Sequence, residues 1–165
     1  MGAHLSLVLT ATIALAAILV TISVADFRRL IIPDELNLAL AGTGLGFQAA
    51  TQLDQVPSQI LFAAGTLSAV WLVRRGHFAM TGRIGLGLGD VKMLGAAACW
   101  INPLLLPVLL FIASASALLF IGGQVVAVGP AAARARVPFG PFIAAGLGCT
   151  WVLEQFAGWN MGSLQ

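Results

Sequence analysis

In a chain of 165 residues, 59% are hydrophobic and only 8% are charged, against roughly 25% charged in an ordinary soluble domain. That composition excludes a water-soluble fold, because too few polar side chains are present to cover the apolar ones. The net charge of +2 sits in pairs and singles between apolar runs, without the continuous basic stripe that tracks nucleic acid, so nucleic acid is not an expected partner.

Apolar runs of membrane-spanning length recur along the whole sequence, so the solvent of this fold is mostly lipid. The first runs from Leu5 to Ala25. It has no Lys or Arg before it and is followed by Arg28 and Arg29, the flank pattern of a retained helix, not of a cleaved signal peptide. Further runs are expected at Leu36 to Ala50, Gln59 to Val73, Asp90 to Ile101, Leu104 to Val128 and Phe139 to Ala157. The second and fourth are short for a bilayer core of about 30 Å. The expected class is an all-α polytopic membrane protein with about six transmembrane helices in one domain, residues 1–165.

The breaks between runs differ in charge. All seven Arg residues fall in alternate breaks: Arg28 and Arg29, then Arg74, Arg75 and Arg83, then Arg134 and Arg136. The other side carries Asp54 and Glu154 and no basic residue. The positive-inside rule then puts the Arg-bearing loops in the cytoplasm and both termini on the outer, periplasmic side. The span count supports itself, since one span more or fewer would put Arg clusters on both faces. Trp100 and Trp159 fall near outer ends and Trp71 near an inner end, where amphipathic rings favour the interface; Trp151 reads as packed inside.

Gly42, Gly44 and Gly46 include a GxxxG spacing, which reads as helix packing. Cys99 and Cys149 lie inside apolar runs and form no CxxC pair, so they read as buried inert thiols. His4 and His77 lack partners at ligand spacing, and no metal or cofactor is expected.

Asp26 ends the first span and Asp90 begins the fourth, so the topology brings two carboxylates to the same cytoplasmic depth. Ionisable groups at such depth usually face a cavity and a partner. Two neighbouring carboxylates cannot both ionise cheaply, so the pair holds one proton and titrates in two steps. That is the working state of an aspartic peptidase: one member takes a proton from the attacking water and the other hydrogen-bonds the scissile carbonyl. Taken singly, Asp26 also reads as a helix-end carboxylate paired with Arg28 or Arg29, and Asp90 as an N-cap. Gly87 and Gly89, in the string Gly87-Leu88-Gly89-Asp90, permit irregular backbone beside another chain. A peptidase needs such a place, because it must hold the cut segment extended. The stretch 76–89 reads as a glycine-rich, mobile cytoplasmic loop leading into this string.

Three segments together carry a resemblance: Asp26-Phe27-Arg28-Arg29-Leu30-Ile31-Ile32-Pro33-Asp34-Glu35-Leu36, then Gly85-Leu86-Gly87-Leu88-Gly89-Asp90-Val91-Lys92, then Val137-Pro138-Phe139-Gly140-Pro141-Phe142. In content, order and spacing they resemble the type IV prepilin peptidases, aspartic intramembrane proteases with a GxGD motif. The resemblance implies cleavage of the basic leader from prepilins or pseudopilins at the cytoplasmic face of the bacterial inner membrane. It makes Asp26 and Asp90 the catalytic pair. The implied partners are the substrate with its hydrophobic N-terminal helix, the lipid bilayer, and components of pilus or secretion assembly. Larger members also carry paired CxxC motifs and methylate the new N-terminus; this chain resembles a short form, and methylation is not expected of it.

Asp34 reads as an N-cap of the second helix, with binding of the basic leader as the alternative. Lys92 either tunes Asp90, or snorkels or forms a structural ion pair. Pro138, Phe139, Gly140 and Pro141 read as a rigid turn shaping the cavity rim. Two other readings compete. Presenilin-like proteases place the first aspartate after a Tyr, and this chain has none. A non-enzymatic transporter or channel would use the same two aspartates as a proton or ion site.

Overall fold

The computed structural model of the chain describes residues 2–83, 85–129 and 137–156. Expectations for Arg134, Arg136, Trp159 and the C-terminus lie outside the described residues. Within them the chain forms six α-helices in the expected order: α1 Gly2–Arg29, α2 Asp34–Thr51, α3 Val56–Thr81, α4 Leu88–Ala97, α5 Leu106–Val128 and α6 Gly140–Phe156. Short 3₁₀ turns at Leu53–Gln55 and Pro103–Leu105 lead into α3 and α5. Three stretches, His4–Arg29, Leu53–Thr81 and Pro103–Val128, are long and apolar enough to cross a membrane. Their outer faces expose Ile13, Val20, Leu61, Phe111, Leu118 and Leu119, a surface that only an apolar solvent suits.

Local chemistry explains the boundaries. Hydroxyls along α1 donate back to the carbonyl one turn earlier, as Thr12 does to Val8 and Ser23 to Leu19, both at 2.7 Å, so polar groups at membrane depth are satisfied within the helix. Leu30 ends α1 in a left-handed conformation, φ 52°, and its N–H still reaches the Asp26 carbonyl at 2.8 Å. Pro33 then bars helical backbone at the residue before it. Pro57 sits in the first turn of α3, where a missing N–H costs nothing. Gly82, φ 66°, closes α3 with its N–H on the Phe78 carbonyl, a left-handed stop that glycine adopts without strain. The irregular stretch is therefore shorter than expected. Residues 76–81 are the last turns of α3, and Leu88 and Gly89 already belong to α4.

The fourth expected span also differs. In place of Asp90 to Ile101 the helix is Leu88–Ala97, ten residues, about 15 Å long or half a bilayer core. A helix that ends inside a membrane leaves carbonyls without partners. Here the buried Gln59 of α3 donates its amide to the carbonyls of Ala98 (2.6 Å) and Ile101 (2.9 Å). The buried Glu154 of α6 then accepts the Asn102 N–H at 3.2 Å. Neighbouring helices thus supply what the short helix lacks.

α4 is central: it packs on α2 and α3 and touches α6, while α6 packs on α5 and α1. Gly95 lets α4 approach α3, since a Cβ there would lie 2.9 Å from a Leu67 methyl. Gly146 brings α6 onto the α5 backbone, where a Cβ would lie 2.7 Å from the Leu109 carbonyl oxygen. Trp100, expected at an interface, is instead buried in the core. Its indole N–H donates to the Leu40 carbonyl at 2.7 Å, and its ring lies edge-on to Trp151 with centroids 5.2 Å apart. Trp151 is buried as expected, donating to the Thr12 hydroxyl at 2.9 Å. Cys99 is buried, whereas Cys149 is exposed on α6, against expectation.

The packing glycine of α2 is not the GxxxG pair. Gly42 and Gly46 have nothing near them, while a Cβ at Gly44 would lie 2.7 Å from the Trp100 ring. Because that ring is fixed by its hydrogen bond and its neighbours, Gly44→Ala is expected to destabilise the protein by about 1–3 kcal/mol through overpacking. Gly46→Ala is expected to stay within about 0.5 kcal/mol of wild type. Thermal melts in one detergent compare the two; equal melting temperatures would contradict the assignment.

Candidate active site

Asp26 lies in the last turn of α1 and is 5% exposed. A bare buried carboxylate is costly, so its partner decides whether it is tolerated. That partner is neither Arg28 nor Arg29. The Gly140 N–H, the first amide of α6, donates to Asp26 Oδ2 at 2.8 Å across 114 residues of sequence. The local sequence suits this bond. Pro141 has no N–H to bury, and the amides of Phe142 and Ile143 return to the Phe139 carbonyl, so the N-terminal donor that remains is the one Asp26 takes. The positive end of the helix dipole adds to the attraction. A Cβ on Gly140 would lie 2.8 Å from that same Oδ2, so the close approach requires glycine.

Asp90 is not the N-cap of α4. Gly87 holds that position with extended backbone, φ −65° and ψ 150°, and Asp90 is the third helical residue. Its Oδ2 reaches back to accept the Gly87 N–H at 3.3 Å, half of a capping box that glycine cannot complete from its own side. Gly89 presses against Ile32, with a Cβ position 3.1 Å from the Ile32 Cβ, and Gly140 presses on the same side chain from α6. The buried Ile32 is thus a wedge on which the N-termini of α4 and α6 converge.

Asp26 and Asp90 line one cavity of about 680 Å³, bounded also by Leu30, Leu86, Val137 and Phe139. They are near enough for their charges to interact. Arg74 of α3 donates its Nε–H to the Leu86 carbonyl at 2.9 Å, and a Cβ on Gly85 would meet the His77 ring at 2.9 Å. The sequence marked Arg74 only as an orienting loop arginine and His77 only as a lone histidine, yet both contact the segment that leads into Asp90. Pro138 and Phe139 line the cavity, and the Gly140 N–H donates to the Asp26 carboxylate within it. Among the described residues, no three His, Cys, Asp or Glu side chains are grouped to hold a metal ion.

Asp34 and Lys92 lie outside this cavity. Asp34 is the first residue of α2 and does not cap it; the N-cap position belongs to Pro33. The Asp34 carboxylate instead receives the Lys92 ammonium at 2.7 Å. The ion pair was among the readings of Lys92, whereas for Asp34 neither the cap nor leader binding anticipated this partner.

A chain whose described residues form apolar-surfaced helices, with two aspartates from separate helices on one cavity, is an integral membrane protein. The chain belongs to the type IV leader peptidase family, whose sequence model it matches over residues 13–122. It is 35% identical over 130 residues to a prepilin leader peptidase/N-methyltransferase of Escherichia coli (strain K12), covering 76% of this chain and 55% of that protein. It is 28% identical over 162 residues to the protein of the same name from Legionella pneumophila, covering 96% and 56%. The one from Neisseria gonorrhoeae is 32% identical over 100 residues, covering 61% and 35%. The chain spans about half the length of the first two relatives. No solved structure matches it.

The Asp34–Lys92 pair has side chains 71% and 44% exposed, so water screens most of its attraction. Lys92→Met is expected to lower stability by less than about 1 kcal/mol, read as a small shift in the thermal melt that shrinks further at high salt. A large loss would mean that the pair is more deeply engaged than its exposure implies.

Proposed function

We propose that the chain is an aspartic endopeptidase that removes the basic leader from type IV prepilins or pseudopilins at the cytoplasmic face of the bacterial inner membrane. The observation that carries this reading is that Asp26 and Asp90 line one cavity and that each accepts a backbone N–H at its carboxylate. Family membership and the names of the relatives support the substrate class.

In this reading the six helices are six spans with both termini on the periplasmic side. Arg28, Arg29, Arg74, Arg75 and Arg83 gather at the end where Asp26 and Asp90 lie, and the positive-inside rule makes that end cytoplasmic. α4 crosses with the help of the residues after it, whose carbonyls Gln59 satisfies.

The pair works with one proton between two carboxylates. The ionised member takes a proton from a water as its oxygen attacks the scissile carbonyl carbon. The protonated member donates to the carbonyl oxygen, which becomes a hydroxyl of the tetrahedral intermediate, and a proton passes to the leaving amine as the C–N bond breaks. The Gly140 amide fixes the orientation of Asp26, so that its oxygen meets the water in one geometry. The extended backbone at Gly87, tied to Asp90 on one side and to Arg74 through Leu86 on the other, offers a strand-like edge for the substrate segment. Pro138 and Phe139 bound the cavity from the α6 side.

Co-expression with a prepilin, read by gel shift, tests the pair. Asp26→Asn and Asp90→Asn are each expected to reduce leader removal by roughly 10³-fold or more, because groups that act as a unit fail together. Unchanged processing in either variant would remove that residue from the chemistry. Gly140→Ala, which pushes a methyl group into the Asp26 carboxylate, is expected to cut kcat by about 10²-fold with a smaller change in KM, the signature of misplaced catalytic geometry.

A further inference from the structure

A second cavity, of about 600 Å³, lies on the other side of α4. Its walls are Leu38, Ala41 and Leu45 of α2, Ile60, Ala63 and Leu67 of α3, and Gly95 and Ala96 of α4. At about 100° per residue, Lys92, Gly95 and Ala96 share one face of α4 and Asp90 the opposite one, so this cavity, which Cys99 just beyond the helix also lines, is separate from the aspartate pair. Asp34, Glu35 and Lys92 stand at its charged end.

One turn inward from Asp34, Asn37 lines the same wall. Its side chain is buried, with the residue 6% exposed, yet neither its amide nitrogen nor its amide oxygen has a partner among the described residues. Buried amides without partners are rare, because an unmade hydrogen bond forfeits solvation without return. A polar atom brought into the cavity by a ligand would complete it.

The order of chemistry along the groove runs from charged, through one uncharged donor and acceptor, to purely apolar. That is the polarity sequence of a membrane lipid. From Asp34 to Leu45 the helix rises about 16 Å, the depth of one leaflet in a core of about 30 Å. A groove of that length, apolar beyond Asn37, matches one hydrocarbon chain of a single leaflet. The charged end carries two carboxylates against one ammonium, a net negative mouth that favours a headgroup bearing its own ammonium.

We propose that this groove binds an amine-bearing phospholipid, with its acyl chain along Leu38, Ala41, Leu45 and Ala63, an ester carbonyl accepting from Asn37, and its ammonium toward Asp34 and Glu35. The site lies apart from the aspartate cavity and does not rest on the peptidase reading.

Native mass spectrometry of the full chain, delipidated and offered equal amounts of dioleoyl phosphatidylethanolamine and dioleoyl phosphatidylglycerol, tests it. Wild type is expected to retain one phosphatidylethanolamine per chain in preference to phosphatidylglycerol. Ala63→Trp fills the groove and should abolish retention. Asn37→Leu should reduce retention roughly tenfold, the weight of one hydrogen bond at a desolvated group. The same Asn37→Leu chain should melt no lower than wild type in lipid-free detergent, because it removes an unpaired buried amide, and misfolding cannot produce that combination. Equal retention of the two lipids, or retention unaltered by Asn37→Leu, overturns the proposal. Displacement of the lipid by a prepilin-type apolar segment would assign the groove to substrate, and a dimer lost in Ala63→Trp would assign it to a second copy; either outcome overturns it as well.

Discussion

The hydrogen bond from the Gly140 amide to the Asp26 carboxylate is the contact around which the functional end of the molecule is arranged. Asp26 is only 5% exposed, so little water solvates its carboxylate and a protein donor must supply what is missing. The chain answers with the N-terminus of a helix that begins 114 residues later. That requirement fixes the start of α6 against the end of α1. Through Ile32, on which both Gly89 and Gly140 press, it also fixes the start of α4. A side chain larger than hydrogen at either glycine would move one aspartate away from the other.

That Asp26 and Asp90 come to one cavity was legible in the sequence, because aspartates at the ends of apolar runs carry both a charge and a depth. Run lengths and arginine positions gave the helix order. What was not legible involves partners remote in sequence. Gly140 read as a turn residue, since a backbone donor has no side-chain identity to read. Asp34 read as a cap because the local pattern suited one; its ammonium partner is 58 residues away. Trp100 read as an interfacial ring from its place near the end of a run, but Gly44 opens room for it in the core and Leu40 offers its carbonyl. Asn37 did carry a signal, an amide inside an apolar run, and it went unread because no motif contained it.

The boundary of α4 is a case where neighbouring helices, not local propensity, explain the structure. The sequence from Asp90 to Ile101 is apolar enough to continue as helix, yet the regular helix stops at Ala97. A premature end is tolerable only if other helices satisfy the freed groups, and Gln59 and Glu154 do so from α3 and α6. Gln59 lies in the first turn of α3 and Glu154 in the last turn of α6, and neither belongs to the acidic pair. Their burial follows from the shortness of α4.

The same shortness bears on how the two cavities relate. Within about three turns, α4 presents Asp90 to one cavity and Lys92, Gly95 and Ala96 to the other. With Val91 and Met93 buried between them, the helix has little freedom to shift on one side without shifting on the other, because packed interiors yield by moving whole elements more readily than single side chains. A ligand that wedges α2 from α3 would press on the Lys92 face and so bear on where Asp90 stands relative to Asp26. Any such coupling would act in both directions with equal free energy. Occupancy of the lipid groove and the geometry of the aspartate pair would then be one equilibrium read at two places.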